Sequence, residues 1–141
     1  MTQEQKEKIL EFFRKEKLAV LSYLHGDQPR SAAIDFSETE DLDIVFTTLS
    51  GYRKYENLKQ NPNVAFTFGG KNNVTIQFEG KAKELSRTEF LPYLKYHIQK
   101  NPVELKFSEM LEAKFFKVNP AWIRYSDFSA KPNNIFEIKF K

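Results

Sequence analysis

Val74 to Leu85 constrains the fold more than any other stretch: Val74, Ile76 and Phe78 alternate with Thr75, Gln77 and Glu79. A period of two sends successive side chains to opposite faces, which fits a half-buried strand and not a helix. Gly80 marks a bulge or bend within it. Leu18 to Leu24, Gln28 to Phe36, Asp43 to Thr48 and Val64 to Phe68 read as further strands. Phe115 to Tyr125 is another, interrupted at Asn119-Pro120, and Ile135 to Phe140 is the last. His25-Gly26-Asp27 is a turn that makes the first two strands a hairpin, and Ser37 to Asp41 is a polar, acidic turn. Short turns favour antiparallel neighbours, and such sheets remove their open edges by closing into a barrel.

Helices flank these strands. Thr2 and Gln5 have capping-box spacing and open a helix to Lys15, with Ile9, Leu10, Phe12 and Phe13 on one broad face. Tyr52 to Gln60 forms a second helix, stopped by Asn61-Pro62. Ser86 and Glu89 repeat the capping-box pattern ahead of a helix over Arg87 to Lys100, with Phe90, Leu91, Leu94 and Ile98 inward. Val103 to Glu112 is a shorter helix or an irregular segment. The expected class is mainly β (α+β), as one domain over residues 1–141. The 14 Phe and 6 Tyr give so short a chain the means to build a core.

Several function classes are excluded. The chain has no cysteine, so disulfides, thiolate metal sites and cysteine nucleophiles are absent. Its 22 basic and 19 acidic residues are mixed along the sequence, and no concentrated basic stripe suggests a nucleic-acid partner. The N-terminus MTQEQKEKIL is charged, and no run approaches the roughly 20 apolar residues of a membrane span. A cytoplasmic location is expected, with no membrane partner. His25 and His97 are isolated and lack ligand spacing, so they are expected at the surface or at caps, and no metal site is expected. Asp35, Asp41 and Asp43 do not converge in the sequence as a catalytic carboxylate pair. Trp122 is expected to be a core or interface anchor.

One segment carries chemistry. In Val45-Phe46-Thr47-Thr48-Leu49-Ser50-Gly51-Tyr52-Arg53-Lys54, a strand delivers two threonines to a loop, and the loop opens a helix with two cations in its first turn. Cations at a helix N-terminus oppose the macrodipole. An anion bound there reverses that cost, because free N–H groups, hydroxyls, a guanidinium and an ammonium together suit a phosphate.

With Asn57-Leu58 and Asn61-Pro62-Asn63-Val64 behind it, this segment resembles the flavin-phosphate region of the pyridoxamine 5′-phosphate oxidase-like, flavin mononucleotide-binding split-barrel family. The hairpin Leu18 to Pro29 and the strand Val74 to Ala82 with its Glu79-Gly80 step match the same family, so the resemblance covers Leu18 to Leu85. It implies an antiparallel split β-barrel with flanking helices. It implies flavin mononucleotide (FMN) as cofactor, a homodimer with each flavin at the subunit interface, and a small-molecule substrate. Arg53 and Lys54 would bind the flavin phosphate, and Thr47 and Thr48 the phosphate or ribityl chain. Ala33 and Ile34 would lie by the isoalloxazine ring. Thr75 or Gln77 would face a polar edge of the ribityl chain or ring. The implied activity is a flavin-dependent oxidoreductase, for which the sequence names no catalytic residue. The same fold also allows a non-catalytic flavin- or haem-binding module or a deazaflavin-dependent reductase. The chain departs from the oxidases at Ala32, where they carry arginine, and at Tyr52, where a small residue is usual. It also lacks their Arg-x-His substrate motif after Trp122.

Overall fold

The computed structural model describes residues 1–141. Its elements run α1 (Gln3–Lys15), β1 (Leu18–His25), β2 (Gln28–Asp35), β3 (Ser37–Glu38), β4 (Ile44–Leu49), α2 (Arg53–Gln60), β5 (Asn63–Gly69), β6 (Val74–Leu85), α3 (Arg87–Lys100), α4 (Glu104–Ser108), β7 (Ala113–Asp127) and β8 (Asn134–Lys139). All pairings are antiparallel, in the order β2-β1-β5-β6-β7-β4-β3, with β8 also on β7. β4 occupies the edge of β7 along Ala113 to Val118, and β8 takes the same edge along Trp122 to Asp127. β7 runs unbroken through Asn119-Pro120, against the interruption expected there. The irregularity is absorbed as a bulge, where Glu79 pairs Trp122 and Gly80 pairs Pro120, leaving Ala121 unmatched. Glycine is required at position 80 because a Cβ would collide with the Asn119 carbonyl oxygen. Gly26, at φ 61°, supplies the tight β1–β2 turn.

The sheet curls around an aromatic core. Phe68 lies 4.8 Å from Phe13 and 5.0 Å from Phe36 between ring centroids, and Phe66 lies 5.5 Å from Phe78. Each fully buried phenylalanine contributes about 1.5–3 kcal/mol. Both capping boxes form, at Thr2 and at Ser86. α1 inserts Ile9, Leu10 and Phe13 into the core. α3 covers the other side of β4 and β7, where Phe90 stacks on Phe115 at 4.1 Å.

Three expectations fail here. Ser37 and Glu38 form a short, buried strand on β4 rather than a solvated turn. Their polar groups have buried partners: Ser37 Oγ meets His97 Nδ1 at 2.7 Å, and Lys100 Nζ donates to Glu38 Oε1 at 2.5 Å. Correspondingly, α3 buries Phe90, His97 and Lys100, while Leu91 is exposed. His97, expected at the surface, is fully buried. No helix is long and apolar enough to cross a membrane.

Candidate functional site

The β2–β1 edge and the β4 edge approach each other without pairing, and a cavity of about 200 Å³ opens at this split. Ala33, Ile34 and Asp35 from β2 line one wall, and Thr47, Thr48 and Leu49 from β4 line the other. Tyr52 and Lys54 close it at the start of α2, and Glu104 and Phe107 close it from α4. The loop between β4 and α2 is held by Ser50 N–H donating to the Glu112 carbonyl at 2.8 Å and Tyr52 N–H to the Leu49 carbonyl at 3.0 Å. Tyr52 is the N-cap of α2 and gives no side-chain cap, so nothing from its own side chain competes for the helix's first N–H groups.

Five of the sequence-predicted residues therefore share one cavity: Ala33, Ile34, Thr47, Thr48 and Lys54. Arg53 is adjacent but exposed, at the first turn of α2. Thr75 and Gln77 lie apart from the cavity. Both stand on the outward face of β6, opposite the buried Ile76 and Phe78, with Gln77 paired between Thr67 and Arg124. Arg30 does not substitute for the arginine missing at Ala32, since its Nη1 donates to Asn57 Oδ1 at 3.2 Å and ties α2 to the hairpin.

The cavity is charged and partly dry. Burial holds the Lys54 ammonium below the usual lysine range, and Glu104 opposes that shift. The Lys54 Nζ sits 5.1 Å from the Tyr52 ring centroid and is not part of any ion pair. Thr47 Oγ1 donates to Glu104 Oε1 at 2.9 Å. The Thr48 hydroxyl is buried and has no hydrogen-bond partner. Burial, and secondarily the nearby Glu104, pushes the Asp35 carboxyl above its usual range. Sequence reasoning missed Asp35 and Glu104 as members of this site, and His97 buried behind Glu104. Asp35 is far in sequence from the other two, and Glu104 lies in a segment with no recognisable motif.

The family model described as Pyridoxamine 5'-phosphate oxidase matches residues 5–127. The chain belongs to the pyridoxamine 5′-phosphate oxidase-like family. Solved structures agree with this membership. General Stress Protein 26 from Bacillus anthracis is 25% identical, with a TM-score of 0.74, and the match covers 95% of this chain and 98% of that one. A FAD-binding protein from Mesorhizobium loti is 14% identical at a TM-score of 0.67, covering 87% and 92%. A heme binding protein from Mycobacterium smegmatis superposes at a TM-score of 0.81 with 9% identity, and this chain spans 59% of its length. No curated protein matches the sequence. The antiparallel curled half-barrel with four helices is the split-barrel fold that these neighbours share.

Proposed function

We propose that this single domain binds FMN in the cavity between β2, β4 and α2 and acts as an oxidoreductase on a small substrate. The supporting observation is the half-buried Lys54, which lacks an ion pair, at the start of α2 in a cavity that Thr47 and Thr48 also line. The desolvation of that ammonium is a cost that a ligand carrying anionic oxygens offsets. Arg53 and Lys54 hold the phosphate at the start of α2, where the helix dipole adds to their charge. Thr47 and Thr48 serve the phosphate or ribityl chain, and the backbone of Ala33 and Ile34 walls the ring. A cavity of about 200 Å³ is smaller than the roughly 300–1,000 Å³ of a cofactor pocket. A second subunit completes it in this reading. The outward sheet face that carries Thr75 and Gln77 also exposes Leu18 (59%) and Val20 (44%), and it is the partner-facing side. Bound flavin supplies the electron transfer, while the protein binds and orients.

The visible spectrum of the purified protein tests the cofactor, since flavin bands are expected after reconstitution with FMN. The haem alternative predicts a Soret band instead. His97 is a poor axial ligand, because its ring nitrogens face Ser37 and Glu104 in the core. Changing Arg53 and Lys54 together to Ala is expected to weaken FMN binding by about 100-fold or more with the melting transition retained. Unchanged affinity refutes the phosphate assignment.

A further inference from the structure

Glu104 is an unexpected member of a cavity otherwise prepared for an anion. It is 6% exposed, and its Oε1 accepts from Thr47 at 2.9 Å. The same oxygen lies 3.4 Å from His97 Nε2. That nitrogen is buried and has no hydrogen-bond partner, while Nδ1 meets Ser37 Oγ at 2.7 Å. Two hydrogen-bonded pairs, Ser37 with His97 and Thr47 with Glu104, thus stand side by side from β3 and α3 to the cavity wall, brought within 3.4 Å at His97 Nε2. The charged groups facing the pair are Asp35 on β2 and Lys54 on α2, with Lys17 acting on Asp35 from ahead of β1. Lys54 is the one cation among the cavity's lining residues. A phosphate seated on Thr47 and Lys54 would meet a carboxylate already bonded to that hydroxyl. In a partly dry space like charges repel more strongly than in water, and adding a proton removes the repulsion.

We infer that the cavity takes up one proton on the Glu104–His97 pair when it binds a phosphate-bearing ligand, so that binding weakens as pH rises. This rests on the proposed phosphate site for the ligand's position.

The test is calorimetric titration of the full chain with FMN between about pH 7 and 9, where a phosphate monoester with its second pKa near 6 is already dianionic. Each titration is run in two buffers of different ionisation enthalpy. Uptake of close to one proton is expected, with affinity falling by up to about tenfold per pH unit. Glu104→Gln keeps an oxygen for Thr47 but cannot titrate, so its proton uptake and pH slope should largely vanish. His97→Gln should reduce both as well, and it reports if Glu104→Gln does not fold. No uptake in the natural protein overturns the inference. So does an undiminished slope in Glu104→Gln, which would place the proton on another group of the cavity. Inorganic phosphate is the second probe. If phosphate binds with proton uptake and FMN does not bind, the flavin reading falls and the proton coupling stands. If neither binds, both fall.

Discussion

Two partly buried lysines in this molecule have their charge met in opposite ways. Lys100 donates to Glu38 Oε1 at 2.5 Å and to the Phe13 carbonyl at 2.7 Å, and it lies 3.9 Å from the Phe36 ring centroid. Tyr96 adds a further hydrogen bond to Glu38. Every charge there has its partner inside the chain. Lys54 is half-buried beside a cavity, has no ion pair, and feels Glu104 only at a distance. A satisfied buried ion pair fixes geometry, here the seating of α3 on β3 and α1. A desolvated cation left without a partner is instead the group on which the proposed anion site rests.

Substitutions can break that contrast. The largest effect is expected at Lys100. Lys100→Met strands the buried Glu38 carboxylate and should cost about 3–5 kcal/mol in chemical denaturation. A loss below about 1 kcal/mol would erase the distinction between the two lysines. Lys54→Met should do the reverse, leaving stability nearly unchanged while weakening FMN binding about 10- to 100-fold, measured by fluorescence quenching. Thr48→Val removes a buried hydroxyl that has no partner. The ligand-free protein should gain up to about 1 kcal/mol, and FMN binding should weaken several-fold.

The smallest effect concerns pH. The Asp35 carboxyl is raised above its ordinary value of 3.8 by burial and then by Glu104. The folded state therefore keeps this proton longer than the unfolded chain does. The corresponding stability is present below about pH 3.8 and is lost as pH rises through the raised value. Asp35→Asn should accordingly melt higher than the natural protein at pH 7, by a small margin because solvent screens the partly exposed carboxyl, and the gain should shrink towards pH 3.5. Melting curves at both pH values check the sign.

Much of the fold was legible because its signals are local. The alternation in Val74 to Leu85 returns as β6 with the same bounds, and the Ser86–Glu89 pair caps α3 as its spacing predicts. Gly80 marks the bulge in the β6–β7 register. Ser37 and Glu38 misled because polar residues read as solvated unless their partners are known. Those partners, His97 and Lys100, lie 60 and 62 residues away. Leu91 misled in the same way, since the inward stripe of α3 is set by Phe115 and the β3 polar groups rather than by hydrophobicity along the helix.

By itself the sequence determined the order of the longer strands and helices, the two capping boxes, the β1–β2 turn and the residue types of the corner from Thr47 to Lys54, because each depends on neighbours a few positions apart. Only the tertiary structure decided what that corner faces. It brought Ala33, Ile34 and Asp35 across the split to meet Thr47 and Thr48, and it left Thr75 and Gln77 further along the outward sheet face, outside the cavity lining. It also set Glu104 and His97 behind the site. Those placements follow from how a curled sheet closes on itself, and the charge balance of the cavity follows from them.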